Sequence, residues 1–195
     1  MQDIILASQS PRRKLLLEWA EVPFEVFVKH TDETFPAELS PSETAVYIAR
    51  KKASAVQEHV QKAFHGEMLG KVILAADTIV VLEERIIGKP EDRDDAISIL
   101  KSLSGKMHRV ITGVVMLHKN REFAFADTTE VSFHTLSDTQ IEYYVDKYKP
   151  YDKAGAYAIQ EWIGVTGIKS IKGDFYNVMG LPVSRVLQEL YKINL

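Results

Sequence analysis

The sequence predicts a mixed α/β fold, a twisted mixed sheet with helices on its faces. Short apolar runs that read as buried strands alternate with amphipathic helical stretches. Hairpin signals interrupt that alternation, which argues against a purely parallel sheet. No fixed-period repeat or low-complexity linker divides the 195 residues, so 1–195 read as a single domain. A folded chain of this size hides roughly 70% of the surface its unfolded form exposes, enough for a real core.

Ile4-Ile5-Leu6-Ala7 is the first buried strand, running into Ser8-Gln9-Ser10-Pro11, a helix start with Pro at the first position. Leu15, Leu16, Trp19 and Ala20 supply the apolar face of that helix. Phe24 to Val28 alternates like a strand and leads to the acidic loop Thr31-Asp32-Glu33-Thr34. Ser40-Pro41-Ser42-Glu43 is a capping box, and Ala45, Ile48, Ala49, Ala53, Val56 and Val60 form the stripe of the helix it opens. Gly66 is the expected terminator. Val72 to Ala75 is a second buried strand, with Asp77-Thr78 at or just past its end. Ile79 to Leu82 and Ile86-Ile87 flank a hairpin turn that Gly88-Lys89-Pro90 closes.

Asp92 caps a helix through Leu103, ended by Gly105. His108 to Leu117 and Phe123 to Phe133 form a long hairpin about Lys119-Asn120. Ser137 with Gln140 is a second capping box, opening a helix to about Tyr148. After Pro150, the segment 154–160 reads as a tightly packed strand, followed by Gly167 to Ile171. A Gly/Asn loop, 173–180, precedes a last helix starting at Pro182.

Composition limits the chemistry. Twenty-four Lys and Arg against 27 Asp and Glu give a net charge of −3, so the Lys/Arg excess of a general nucleic-acid binder is missing. Any polyanion bound must be small and met by a local cluster. The absence of Cys excludes disulfides, thiolate nucleophiles and Cys-based metal sites, and it favours an intracellular protein. No basic n-region or h-region opens the chain, and no apolar run approaches the roughly 20 residues of a membrane span. A cytoplasmic protein without membrane contact is the expectation. There is no GxxxxGK[ST] loop, no strand–GxGxxG–helix unit, no HExxH and no GxSxG.

Polar residues placed around apolar strands remain as candidates. Ser8, Ser10, Arg12 and Arg13 open the first helix, where unpaired N–H groups and the macrodipole favour phosphate. Two cations in a first turn oppose that dipole, a conflict a bound anion would remove; the plain alternative is a solvated basic turn with a serine cap. Asp77, between two apolar runs, requires a partner, a metal or an opening, or else caps a loop. Lys52 lies on the apolar face of its helix, where it either snorkels to the rim or serves a pocket. Lys89 reads as a site cation or a turn cation. Gln160 carries a donor and an acceptor suited to a base edge, or is merely an exposed amide.

Eight segments in order extend nearly end to end: LASQSPRR at 6–13, Asp32-Glu33, ARKKA at 49–53, AADTIV at 75–80, GKP at 88–90, SGKMHRVITG at 104–113, DKAGAYAIQ at 152–160 and GDFYNVMGLP at 173–182. Together they resemble the Maf family of nucleoside triphosphate pyrophosphatases. The resemblance implies an inosine triphosphatase-like α/β fold, two lobes around a cleft, and hydrolysis between the α and β phosphates. DKAGAYAIQ is similar to the branch acting on dTTP and UTP, including modified pyrimidine nucleotides, in a housecleaning role. That branch commonly has Gly-Glu-Pro where Tyr148-Lys149-Pro150 stands here, and a Gly where Glu161 follows Gln160.

Carried over residue by residue, the resemblance makes Asp77 the proton acceptor and, with Glu33, a ligand of Mg²⁺ or Mn²⁺. It makes Arg13, Lys52 and Lys89 catalytic cations and places Ser8, Ser10, Arg12, Thr78 and Gln160 at the substrate, the last three of these at base preference. A cation about 4 Å from a phosphate oxygen contributes on the order of 4 kcal/mol at an effective dielectric near 20, before desolvation. A homodimer is implied as well. The rival reading of the same pocket is a non-catalytic nucleotide-binding regulator of septum formation. A serine hydrolase using Ser8 or Ser10 would lack a placed His base.

Overall fold

The computed structural model describes residues 3–63 and 70–193; Gly66 lies outside them. Among the described residues a seven-stranded mixed sheet runs in the order β2 (Phe24–Val26), β1 (Ile4–Leu6), β3 (Val72–Leu82), β5 (Met107–His118), β6 (Arg121–Phe133) and β7 (Ile168–Lys172), with β4 (Arg85–Ile87) paired to β3. Helices flank it, as the interleaved pattern predicts. The chain divides into two compact units, one of residues 1–77, 112–127 and 180–195, the other of 78–111 and 128–179. Three long strands, β3 (Val72–Leu82), β5 (Met107–His118) and β6 (Arg121–Phe133), contribute residues to both.

In the first unit β1 (Ile4–Leu6) is the centre of a parallel trio, pairing Ile5 with Glu25 of β2 (Phe24–Val26) and with Ile73 of β3. All three β1 residues are buried, as an apolar strand with neighbours on both sides must be. Helix α1 (Pro11–Trp19) follows directly, with Ser10 as N-cap. Helix α2 (Pro41–Ala63) opens on the expected capping box: Ser40 N–H donates to Glu43 at 2.9 Å, and Glu43 N–H donates to Ser40 Oγ at 3.4 Å. Its stripe of Ala49, Ala53, Val56 and Val60 packs on Ile5, Ile73, Ala75, Val115 and Leu117. Helix α7 (Val183–Ile193) completes this unit.

In the second unit β4 (Arg85–Ile87) turns back antiparallel on the end of β3, and β7 (Ile168–Lys172) pairs antiparallel with the end of β6. Helix α3 (Arg93–Leu103), capped by Asp92, packs on α4 (Asp138–Tyr148), whose Ser137–Gln140 capping box is formed in both directions.

Three expectations fail here. Strand β3 does not stop before Asp77 but continues through it to Leu82. Residues 154–160 are not a strand: Ala154–Ala156 form a 3-10 turn with Gly155 at φ 72° and Ala156 at φ 56°, left-handed values a strand cannot hold. Helices α5 (Trp162–Gly167) and α6 (Phe175–Met179) occupy stretches the pattern leaves without helix.

Candidate active site

The first unit gathers Ser8, Ser10, Arg12, Arg13, Glu33, Lys52 and Asp77. Ser10 caps α1, its Oγ accepting from Arg13 N–H at 3.5 Å. Ser8 Oγ in turn accepts from Ser10 N–H at 3.2 Å and from Arg13 Nη1 at 3.1 Å. Arg13 is buried, and its Nε donates to the Gly180 carbonyl at 2.8 Å. Part of the first-turn conflict is thus met by internal acceptors. Burial lowers the Arg13 pKa from its ordinary value; Asp77 opposes that shift, Arg12 adds to it, and Glu33 opposes it. A guanidinium with acceptors remains a cation under these pulls.

Lys52 joins the two predicted carboxylates. From the apolar face of α2 its Nζ reaches Asp77 Oδ1 at 2.6 Å and Glu33 Oε1 at 2.7 Å. This ion pair lets β3 carry a charge through its middle: the Asp77 side chain is 14% exposed, too little to be left to water. Glu33 is the open member, 49% exposed. Its loop is fastened locally, since Thr34 N–H donates to Asp32 at 2.9 Å and Lys51 Nζ donates to the Thr34 carbonyl at 3.3 Å. Consecutive lysines of one helix therefore hold the acidic loop and the strand carboxylate.

The second unit carries Thr78, Lys89 and Gln160. Thr78 follows Asp77 on β3 and is half-buried; Lys89 and Gln160 are exposed. Gly155 ties their neighbourhoods together. Its N–H donates to the Gly88 carbonyl at 3.0 Å, beside Lys89. A Cβ added to it would lie 2.9 Å from Val80 Cγ2, two residues beyond Thr78. The DKAGAYAIQ segment is also held by the side chains of Tyr144 and Glu161, neither of which the residue pattern reads as a site residue. Glu161 gave the one available signal, as a departure from the branch pattern.

The donor set suits a hard divalent cation. Two carboxylate oxygens already share one cationic nitrogen, and among the described residues no group of three or more His, Asp or Glu forms a complete protein cage. Mg²⁺ prefers one or two carboxylates, with waters and substrate phosphates filling the remaining positions. Among the described residues no helix is long and apolar enough to cross a membrane.

Fold and site together define a mixed α/β protein whose clustered serines, arginines, lysine and carboxylates suit a phosphorylated ligand. The family model of the Maf-like proteins matches residues 3–193, and the chain belongs to that family. It is 49% identical over 191 residues to a dTTP/UTP pyrophosphatase of Cytophaga hutchinsonii, covering 98% of this chain and 84% of that protein. It is 47% identical to the dTTP/UTP pyrophosphatase of Bacteroides thetaiotaomicron, covering 97% and 95%. With that of Bacillus cereus the identity is 45%, over 100% and 97%. Among solved structures, the Staphylococcus aureus Ham1 protein aligns over 68% of this chain and 72% of its own, with a TM-score of 0.43 and 15% identity.

Proposed function

We propose that this chain is a nucleoside triphosphate pyrophosphatase that hydrolyses dTTP and UTP, with modified pyrimidine nucleotides, to the monophosphate and pyrophosphate in a housecleaning role. The observation that carries the reading is the Lys52 bridge between Asp77 and Glu33, in a chain whose 45–49% identical relatives are named for that activity.

The chemistry follows from the residues. A water oxygen attacks the α phosphorus, the bond from that phosphorus to the α–β bridging oxygen breaks, and pyrophosphate leaves with the electron pair. Asp77 takes the proton of the attacking water. Lys52 fixes the Asp77 carboxylate in place and presents positive charge to the phosphates. Ser8 Oγ accepts twice, from Ser10 and Arg13, so its own O–H is left to donate to a phosphate oxygen. Arg12 and Arg13 hold the triphosphate at the start of α1, where the helix dipole adds to them. Glu33 and Asp77 would hold a Mg²⁺ or Mn²⁺ ion, which when bound supplies further charge stabilisation to the phosphates. The resemblance assigns Lys89 to the same anion, and Arg12, Thr78 and Gln160 to base preference.

The test is to incubate the protein with each nucleoside triphosphate and Mg²⁺ or Mn²⁺ while following pyrophosphate. Turnover of dTTP and UTP is expected, and Asp77→Asn should lower kcat by about 10²–10⁴-fold, the usual worth of a general base. Tight binding of nucleotides without turnover would establish the regulator instead. Release of single orthophosphate would assign a different scissile bond.

A further inference from the structure

The side chain of Glu161 lies directly after the exposed Gln160, yet it points into a network of its own. Its carboxylate accepts from the hydroxyl of Tyr144, a fully buried residue of α4. That same hydroxyl oxygen accepts the backbone N–H of Ala158 at 3.1 Å. Because the oxygen accepts from Ala158, its single proton is committed to Glu161, and the relay has one direction. Lys153, 9% exposed, closes the arrangement: its Nζ lies 3.6 Å from Glu161 Oε1 and donates to Asp152 at 2.8 Å.

Ala158, through its backbone N–H, and Glu161 and Lys153, through their side chains, are thereby joined around one buried phenol and one carboxylate. Gln160 is the exposed residue between two of them. Gly164 lies close against the carbonyl of Ile159: a Cβ there would be 1.7 Å from its oxygen. A segment with left-handed residues at 155 and 156 has no ladder to hold it, so these side chains supply the constraint that strand pairing would otherwise provide.

We propose that Tyr144, Glu161 and Lys153 form a clamp that sets the position of Gln160, making Tyr144 and Glu161 positioning residues for base discrimination. The inference rests on the reading of this chain as a pyrimidine nucleotide pyrophosphatase with Gln160 at the base. Glu161 would act through the backbone, without touching substrate.

The test uses the full chain with Tyr144→Phe and Glu161→Gln, both close in shape to the residues replaced. Calorimetric binding of UTP and CTP is measured beside steady-state turnover of each. A clamp predicts that both variants lose about tenfold of the UTP-over-CTP preference, in binding and in KM, while kcat for UTP changes less than about threefold. Amide exchange at Ala158 should quicken in both. Preference unchanged in two folded variants would overturn the clamp, as would equal losses for UTP and CTP, which denote general destabilisation. Should Tyr144→Phe fail to fold, Glu161→Gln alone decides. A wild-type protein that binds UTP selectively without turnover would refute the proposed activity while leaving the clamp readable in binding. A wild type with no preference in binding or turnover would overturn the clamp directly.

Discussion

His108 illustrates how one residue couples packing to pH. It is 1% exposed on β5, its Nε2 lies 2.7 Å from the Tyr157 hydroxyl, and its ring meets those of Phe133 and Tyr157 edge-on. Nδ1 is buried without a partner among the described residues. Burial pushes the imidazole down to about 4 from 6.5, and it drives the Tyr157 phenol upward, so both groups are neutral in the folded protein. The depressed pKa fixes the sign. Above pH 6.5 the folded and unfolded chains both hold a neutral imidazole. Between pH 6.5 and about 4 only the unfolded chain binds the proton, so stability falls with falling pH. At pH 4.5 the loss from this group amounts to about 2–3 kcal/mol. Denaturant unfolding of the wild type and His108→Gln at pH 7 and 4.5 checks it: the variant should show a pH loss smaller by that amount.

The ion-paired Lys52 gives a second prediction. Lys52→Met leaves the Asp77 carboxylate, 14% exposed, without its ammonium and removes a cation from the anion site. The substitution should lower kcat/KM for UTP by about 10²-fold or more, on the scale of losing one charged transition-state contact. Pyrophosphate-release kinetics would measure it. A loss below about threefold would assign Lys52 a merely structural role.

Among the elements, α2 does the most to position the site, because it carries both Lys51 and Lys52. Its second turn lies directly on β5: a Cβ on Gly113 would lie 2.2 Å from the Ala45 carbonyl carbon and 2.3 Å from Val46 N. Neither partner is a side chain that can rotate away. Gly113→Ala should therefore cost about 3 kcal/mol or more, read as a lowered denaturation midpoint. Activity of the variant protein that remains folded should fall too, since any relief shifts the helix bearing Lys52.

This helix was legible in the sequence because its signals are local: Ser40 and Glu43 satisfy each other, and the apolar stripe repeats at helical spacing. The same holds for α4 and for the Ser10-Pro11 start of α1. Helix α5 was hidden for the opposite reason. Its six residues include two glycines, two β-branched side chains and a β-branched Thr, poor helix formers all. Gly164 lies close against the carbonyl of Ile159, five residues back, an approach only a residue without a Cβ allows and one that propensity does not register. The chemistry of Asp77 marks it in the sequence, but its place inside β3 does not show there, because its partner Lys52 lies 25 residues away in the chain. Tyr144 reads as an ordinary core position and Lys153 as one residue of the DKAGAYAIQ segment, since only the fold brings them to Glu161.

For the whole molecule, charge is the quantity to balance. The protein carries −3, so a nucleotide must be held by arrangement and not by total charge. In the first unit Arg12, Arg13 and Lys52 face the accounts of Glu33 and Asp77, a surplus of one positive charge in the cluster. A triphosphate brings roughly −4 at neutral pH, well beyond that surplus. A divalent cation on the two carboxylates would raise the cluster to +3, which is the physical case for a metal in the proposed reaction. Calorimetry can examine this apart from turnover. Affinity for UTP should weaken by more than about tenfold when Mg²⁺ is replaced by EDTA, and Glu33→Gln should lose most of that difference, because a single remaining carboxylate holds the ion poorly. Added salt gives a separate reading: exposed charges are screened over about 10 Å at 0.1 M ionic strength, so binding should weaken as salt rises, without duplex DNA ever competing for the site. Equal UTP affinity with Mg²⁺ and with EDTA would mean that the cations of this chain alone hold the triphosphate, and the metal assignment would fall.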